Sequence, residues 1–327
     1  MGTDRWLLYA LGGGMGHLTR AVALGRAAHR RGHRVEVVTN SPFAPLLPLE
    51  SQLGGGQVHR LDARLDKHAV RAALERLLAR VRPEVFIVDT FPRGLGGELV
   101  SLLPGVAARK VLVHRDLHPD YVARFELERF LAPFDRLLVP GEPAPFAGHP
   151  RAVRTGPWLL LDAEELLDRE AARRALDVPT EAARVVGVMA CGRAEEVEAS
   201  ARLAGGLQRG LGPGVHVRLL APDASPPVWP ALAVMRGLDV LVGAGGYNTV
   251  QEARATGTPL VALAQPRLYD RQALRLHDSE RIAAPDAALD RVRAHLQELE
   301  SGRERTAPDY RNGTHEAVRL IAEPAAR

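Results

Sequence analysis

A histidine, His17, closes the glycine-rich run Gly12-Gly13-Gly14-Met15-Gly16-His17, directly behind the apolar residues Trp6-Leu7-Leu8-Tyr9-Ala10-Leu11. So little side chain lets another molecule come close to the backbone. A helix is expected to start at this run, and the positive end of its dipole disfavours an imidazolium, so His17 is expected to be neutral at about pH 7. A neutral imidazole over an open glycine floor is suited to take a proton from a hydroxyl. A histidine hydrogen-bonded to a loop carbonyl fits the same pattern. A dinucleotide fingerprint would need glycine at position 17, and no Gly-Lys-Ser/Thr follows, so neither nucleotide loop motif is matched.

Asp89 ends the run Val85-Phe86-Ile87-Val88 and precedes Thr90-Phe91-Pro92. A carboxylate beside one ring nitrogen would fix the tautomer of the histidine and stabilise the proton taken up by the other nitrogen. Asp89 fits equally as a cap or turn former for the segment starting near Gly94. His114-Arg115-Asp116-Leu117-His118 follows another apolar run and reads either as site lining or as a solvated loop. Zinc between His114 and His118 finds no third ligand in the sequence.

Residues 242–275, VGAGGYNTVQEARATGTPLVALAQPRLYDRQALR, carry a second constellation. A strand ends at Val242, Gly243, Gly245 and Gly246 turn the chain, and a helix opens at Tyr247-Asn248-Thr249. Free amides at that helix start, with the Asn248 and Thr249 side chains, make an anion site suited to phosphates. Glu252 follows one turn on, where a carboxylate can accept both hydroxyls of a ribose. Asp270 and Gln272 have the chemistry to hold sugar hydroxyls. Cys191-Gly192-Arg193 forms another strand-to-helix turn that faces phosphate, with Arg193 either balancing diphosphate charge or standing as one of many surface arginines.

The chain has 327 residues, 46% hydrophobic and 25% charged, in the ordinary range of soluble globular proteins. Its length suggests two domains at roughly 100–200 residues each. A single cysteine, Cys191, excludes a disulfide framework and points to a reducing compartment, so a cytoplasmic protein is expected. The net charge is +4, carried by arginines interspersed with acids, with Lys67 and Lys110 the only lysines. No long single-sign block occurs, and no nucleic-acid partner is expected. No apolar run approaches the ~18 residues of a membrane span. Leu46-Leu47-Pro48-Leu49 reads as part of a packed helix or as a lipid-facing patch, so membrane contact is expected to be peripheral at most.

Short apolar runs alternate with amphipathic stretches, the pattern of βα units around parallel sheets. Strands are predicted near 5–11, 34–39, 57–61, 84–89, 109–113 and 135–139, with helices over 17–31, 66–80, 94–103 and 121–131. The proline- and glycine-dense stretch 140–158 reads as a linker without periodic structure. A second series follows, with strands near 184–190, 215–221, 238–243 and 259–263 and helices near 195–209, 247–256 and 286–300. The segment from Asn312 to Ile321 reads as a terminal helix that could brace the domains. In open α/β sheets the ligand crevice lies beyond the carboxyl ends of the strands. Two such domains facing one another would make a cleft.

With these residues in place, the sequence resembles the GT-B glycosyltransferases: α/β proteins with two Rossmann-like, open parallel-sheet domains. GGGMGH and the following helix resemble the N-terminal loop of the bacterial enzyme that adds N-acetylglucosamine to the peptidoglycan lipid intermediate, and of plant and macrolide nucleotide-sugar transferases. Residues 243–272 resemble their donor signature. The resemblance implies an N-terminal acceptor domain over 1–155 and a C-terminal donor domain over 156–327. It implies an inverting, metal-independent transfer from a nucleotide sugar, UDP by family frequency, to a small-molecule or lipid-linked acceptor, with no further cofactor. In it His17 is the base, oriented by Asp89, with Gly13, Gly14, Met15 and Gly16 on the acceptor side. Gly192, Arg193, Gly245, Gly246, Asn248 and Thr249 meet phosphates, Glu252 the ribose, and Asp270 and Gln272 the sugar. The chain departs from the pattern at Ala244, where plant enzymes carry histidine, at Cys191-Gly192-Arg193, which replaces a serine-containing loop, and over 221–237, the base-contacting region, which is not distinctive. Gly14-Met15-Gly16-His17 with Arg20 also resembles nucleotide-sugar hydrolases of the sialic-acid-like pathways, in which the same histidine would activate water. An epimerase or a non-catalytic nucleotide-sugar-binding protein on the same architecture are the remaining readings.

Overall fold

Residues 6–10, Trp-Leu-Leu-Tyr-Ala, are apolar without interruption, so a strand made of them must be covered on both faces. They form the centre of a parallel sheet. The computed structural model describes residues 3–224, 227–302, 308 and 310–323. These divide into two compact units: the described residues up to Leu160 with Leu268–Asp270 and those from Asn312 onward, and a second unit of Leu161–Arg267 with the described part of Arg271–Arg311.

The first unit contains β1 (Arg5–Ala10), α1 (Met15–Arg30), β2 (Arg34–Thr39), α2 (Leu49–Gln52), β3 (Val58–Arg60), α3 (Lys67–Val81), β4 (Val85–Asp89), β5 (Arg109–Val113), α4 (Pro119–Arg124), β6 (Arg136–Pro140) and β7 (Ala152–Thr155). Its seven strands are all parallel, in the order β3-β2-β1-β4-β5-β6-β7. One face packs Leu7, Tyr9, Phe86, Val88 and Leu112 against Val70, Leu74, Leu77 and Val81 of α3. Against α1 lies the terminal helix, Thr314–Ala322, which belongs to this unit.

The second unit contains α5 (Arg169–Ala175), β8 (Arg184–Met189), α6 (Ala194–Leu211), β9 (Val215–Leu220), β10 (Val240–Ala244), α7 (Tyr247–Thr256), β11 (Leu260–Leu263), β12 (Arg281–Ile282) and α8 (Ala288–Glu300). The helix Thr314–Ala322 is therefore α9. The five strands run parallel in the order β12-β11-β10-β8-β9.

Several elements differ from the sequence reading. The helix predicted over 94–103 is absent; turns lead to a 3-10 turn at Leu103–Gly105. Gly94 and Gly97 sit at φ of +82° and +95°, outside the helical region, and the Glu98 carboxylate folds back onto the Leu95 and Gly96 amides. The helix expected over 121–131 stops at Arg124, because Glu126 adopts a left-handed φ of 45° and a 3-10 segment, Leu127–Phe130, follows. The stretch 140–158 holds an edge strand, β7, which pairs with β6 although proline and glycine flank it. Short α5 and two-residue β12 carry too little periodicity to be read from sequence.

Among the described residues no helix is long and apolar enough to cross a membrane. In the Leu46-Leu47-Pro48-Leu49 stretch, Leu47 and Leu49 are buried and Leu46 is exposed.

Candidate active site

Strand order places the first constellation. β1 lies between β2 and β4, and the chain leaves β1 toward β2 on one side while β4 begins the return on the other, so the sheet changes direction between β1 and β4. Such a switch point leaves a crevice at the strand ends. With Tyr9 registered against Val88, the loop after β1 and the end of β4 come together there. His17 sits in the first turn of α1, whose N-cap is Gly14. Its Nδ1 lies 2.5 Å from Asp89 Oδ2.

Gly12 makes this geometry possible. A Cβ there would fall 2.3 Å from His17 Cδ2, so only glycine leaves room for the ring. The Gly12 amide donates to Asn40 Oδ1 at 2.7 Å and the Ser41 hydroxyl to the Gly14 carbonyl at 3.3 Å, tying the loop to the end of β2. Gly13, Gly14 and Gly16 have open space where a Cβ would be, and Met15 is buried.

Arg20 completes the group. One turn beyond His17 and 1% exposed, it donates Nε to Asp89 Oδ1 at 2.8 Å and Nη2 to Oδ2 at 2.6 Å, a bidentate pair. Nη2 also donates to Thr90 Oγ1, and the Thr90 hydroxyl donates to Asp89 Oδ2. Thr90 holds a left-handed φ of 68°, a strained position for a β-branched residue, which turns the chain at the end of β4.

The charges follow from this packing. Burial opposes ionisation of Asp89, but the Arg20 guanidinium and the His17 contact overcome it and hold the carboxyl well below the usual carboxylate range. An ionised Asp89 only accepts, so His17 Nδ1 carries the proton and Nε2 the lone pair. Arg20 Nη2 at 3.4 Å from that Nδ1 is then donor against donor and no bond. Burial pulls the His17 pKa below its ordinary 6.5, Asp89 pushes it back up, and Arg20 and Arg115 lower it further. A neutral base beside an ionised acid results.

The nearby histidines serve other ends. His114 Nε2 accepts from the Phe146 amide, and burial lowers its pKa to about 4. His118 Nδ1 accepts from the Asp120 amide at the start of α4. Arg115 and Asp116 are buried, and Arg115 donates to Glu142 at 2.7 Å. No group of three or more possible metal ligands occurs among the described residues.

The second constellation also stands at a switch point. β10 lies between β11 and β8, and Val242 registers against Val188, which brings the loops after β8 and β10 side by side. Gly245 packs against the loop at Gln272, whose carbonyl would lie 2.9 Å from a Cβ. Gly246 caps α7 without a side-chain bond. Thr249 and Glu252 are buried and Asn248 is half-buried. Burial raises the Glu252 pKa to about 8, so its carboxyl is protonated at neutral pH.

The turn at Gly192 and Arg193 is already occupied. Glu196 accepts from the Arg193 amide at 2.9 Å and pairs with both terminal nitrogens of Arg267. That carboxylate fills the space beside Gly192. The Cys191 thiol is pushed up to about 12, mainly by burial and then by Glu252 and Glu196. The Gln272 side-chain oxygen accepts from the Gln265 amide at 2.9 Å. Asp270 falls in the segment that packs with the first unit, whereas Gln272 belongs to the second.

Among residues absent from the sequence-derived site, Arg20 is the main addition. It stands three positions after His17, the spacing that puts two side chains on one helix face, and the sequence otherwise marked it only as the arginine of the hydrolase-like Gly-Met-Gly-His pattern. Asn40 and Ser41 carried none.

No family model matches the chain, and no curated protein matches it by sequence. Solved structures do match it by fold. The Streptomyces sp. SF2575 glycosyltransferase SsfS6 superposes with a TM-score of 0.54 at 16% identity, over 98% of this chain and 100% of its own. The spinosyn rhamnosyltransferase SpnG, solved with thymidine diphosphate, gives 0.56 at 17%, over 97% and 95%. The UDP-GlcNAc 2-epimerase of Neisseria meningitidis, solved with UDP-GlcNAc, gives 0.63 at 10%, over 97% and 98%. The chain has the GT-B fold, two parallel-sheet α/β domains, and the glycosyltransferase structures match it over 95% or more of their own length.

Proposed function

We propose that the protein is an inverting, metal-independent glycosyltransferase that moves a sugar from a nucleoside diphosphate sugar, UDP-linked in the first instance, to a hydroxyl of a small-molecule or lipid-linked acceptor. The observation that carries this reading is the neutral His17 whose Nδ1–H is committed to an ionised, arginine-clamped Asp89. Such an imidazole has its Nε2 lone pair free for an acceptor proton.

In this reaction the acceptor oxygen attacks the anomeric carbon as Nε2 takes its proton, the carbon–oxygen bond to the diphosphate breaks, and the electron pair leaves with the nucleoside diphosphate. Asp89 stays ionised and stabilises the imidazolium that forms. The leaving diphosphate is assigned chiefly to the start of α7 at Gly245, Gly246, Asn248 and Thr249, an oxyanion-hole type of assistance. Gly192 and Arg193 contribute from the α6 turn, where Glu196 already takes one amide. Glu252, uncharged in its buried site, can donate one hydrogen bond and accept another, which matches the paired hydroxyls of a ribose. Asp270 and Gln272 are assigned to the transferred sugar, and no cofactor beyond the nucleotide sugar is required. SpnG with its thymidine diphosphate supports a nucleoside diphosphate donor. A cytoplasmic setting with at most peripheral membrane contact belongs to this reading.

A second reading is favoured by one observation, the bond of Arg20 to Asp89, because Gly-Met-Gly-His followed by this arginine is the pattern shared with nucleotide-sugar hydrolases. Water would then replace the acceptor. A panel of nucleotide sugars with wild type and His17→Ala separates the two. Stabilisation by one nucleotide, with slow diphosphate release in the absence of acceptor, is the expected result. Release at tens of turnovers per second, within the usual enzyme range and lost in His17→Ala, makes the protein a hydrolase. If no nucleotide shifts the melting temperature, the donor site at Asn248 and Glu252 is misassigned.

A further inference from the structure

Several buried or half-buried arginines of this chain are matched to acids: Arg20 to Asp89, Arg115 to Glu142, Arg254 to Glu280, Arg267 to Glu196. Arg93 departs from this. Its guanidinium carbon lies 4.6 Å from the centroid of the Phe125 ring and 5.7 Å from that of Phe130. Among the described residues no carboxylate pairs with it, and its buried Nε has no hydrogen-bond partner. Cation–π contact holds a guanidinium with about 0.5–2 kcal/mol but leaves its N–H donors unsatisfied. The planar fork is thus left with the geometry that carboxylates and phosphates accept in pairs.

Arg93 is also well placed. It stands on the loop that leaves Asp89, two residues after Phe91, whose ring centroid lies 5.5 Å from that of His17. Tyr269 and Tyr121 meet Phe91 edge-on at 4.9 and 6.1 Å and each other at 5.7 Å, and Phe125 meets Tyr121 at 4.8 Å. The Arg93 fork, the Tyr121 and Tyr269 rings and the base therefore border one aromatic cluster within the first unit. The Tyr121 hydroxyl lies within electrostatic range of Arg93, Tyr269 and Glu98.

The loop is rigid enough to hold a site. Glu98, which faces Tyr121, is buried and committed: it accepts from the Tyr9 hydroxyl and from the Leu95 and Gly96 amides. Gly97, at φ +95°, lets the guanidinium lie against the backbone, where a Cβ would fall 2.8 Å from Nη2. The Tyr269 carbonyl accepts from the His118 amide at 3.0 Å, which fixes that residue beside the cluster.

We infer that Arg93, with the hydroxyls of Tyr121 and Tyr269, is an anion-recognition site that binds a carboxylate or phosphate group of the acceptor while the acceptor hydroxyl is presented to His17. The assignment of this anion to the acceptor rests on the glycosyltransferase reading; the site itself does not. It makes the acceptor an acidic molecule and Arg93 a specificity-determining residue.

Phenyl phosphate, benzoate and phenol serve as probes, measured by calorimetry against wild type, Arg93→Gln, Arg93→Lys, Tyr121→Phe and Tyr269→Phe, with UDP measured separately on each protein. The expected result is that at least one of the two anions binds wild type and loses about tenfold or more in Arg93→Gln. Arg93→Lys should keep part of that affinity, and the phenylalanine variants should lose less. Phenol should bind wild type and Arg93→Gln alike, and whichever anion binds more tightly identifies the acidic group. Equal anion affinities in wild type and Arg93→Gln, or no anion binding to wild type, would overturn the site. UDP affinity should be unchanged in Arg93→Gln. If UDP binds none of the proteins, the transferase reading falls while the anion comparison still decides the role of Arg93. Melting temperatures identify any variant that fails to fold, and Arg93→Lys then carries the comparison.

Discussion

The imidazole of His17 and the carboxylate of Asp89 lie 2.5 Å apart although 72 positions separate them in the chain. Parallel pairing of β1 with β4 brings the two strand ends together, and Arg20 fixes the acid by binding both of its oxygens. The histidine thus meets a carboxylate that cannot turn away.

That clamp sets the stability of the site. Replacing Arg20 by methionine leaves a buried, uncompensated Asp89 charge and should cost about 3–5 kcal/mol. The double variant Arg20→Met/Asp89→Asn should recover part of this loss, since the stranded charge is gone. Urea unfolding of the single and double variants measures the coupling. A cost below about 1 kcal/mol for Arg20→Met would show that Asp89 does not depend on its guanidinium.

The base should be ready throughout the neutral range. Burial lowers the His17 pKa from 6.5, so turnover should rise with pH through a value below 6.5 and stay flat above it. Stability carries the same sign: the folded state takes up this proton less readily than the unfolded chain, so the contribution is full above pH 6.5 and is lost as pH falls toward the folded value. A histidine NMR titration, assigned with His17→Ala, reads the midpoint directly. A midpoint above 6.5 would contradict the neutral base.

Glu252 should behave in the opposite sense. Its pKa is raised from 4.5 to about 8, so the folded state holds the proton that the unfolded chain gives up. Its contribution is present below pH 4.5 and is lost as pH climbs toward 8. Glu252→Gln should therefore stabilise the ligand-free protein by up to a few kcal/mol at pH 8 and change little at pH 4. At the same time it should weaken nucleotide binding. Thermal melts at both pH values with and without UDP test the two halves, and equal melting shifts at pH 4 and pH 8 would refute the buried neutral acid.

The glycines after β1 should divide into two kinds. Gly12→Ala puts a Cβ 2.3 Å from His17 Cδ2 and should cost about 1–3 kcal/mol as the ring is displaced. Gly13→Ala meets nothing within 4 Å and should leave stability within about 0.5 kcal/mol. If substrate approaches the backbone at Gly13, turnover falls there without a stability change. Paired unfolding and turnover measurements on the two variants distinguish ring displacement from lost substrate access.

Much of this architecture was legible in the sequence. Buried parallel strands need apolar residues on both faces, so β1, β4, β5, β8 and β10 announce themselves as short apolar runs, and the glycines that end β1 and β10 mark both crevices. His17 and Asp89 stood out because each closes such a run. Local chemistry hid the rest. The loop at 94–98 shows helical spacing, but two positive-φ glycines and the inward Glu98 hold it as turns. Glu196 looks like an ordinary residue of the first turn of α6, yet it fills the phosphate-like position beside Gly192.

Residue types and their spacing therefore determined which strands end in chemistry, because strand burial and backbone approach leave a local signature. Only the tertiary structure decided which side chain answers which. The order β1-β4 pairs His17 with Asp89, helix geometry turns Arg20 onto that acid, and the packing of Phe125 and Phe130 leaves Arg93 over rings instead of a carboxylate. Those pairings join residues far apart in the chain, and an ion pair or a buried charge has no period along a sequence.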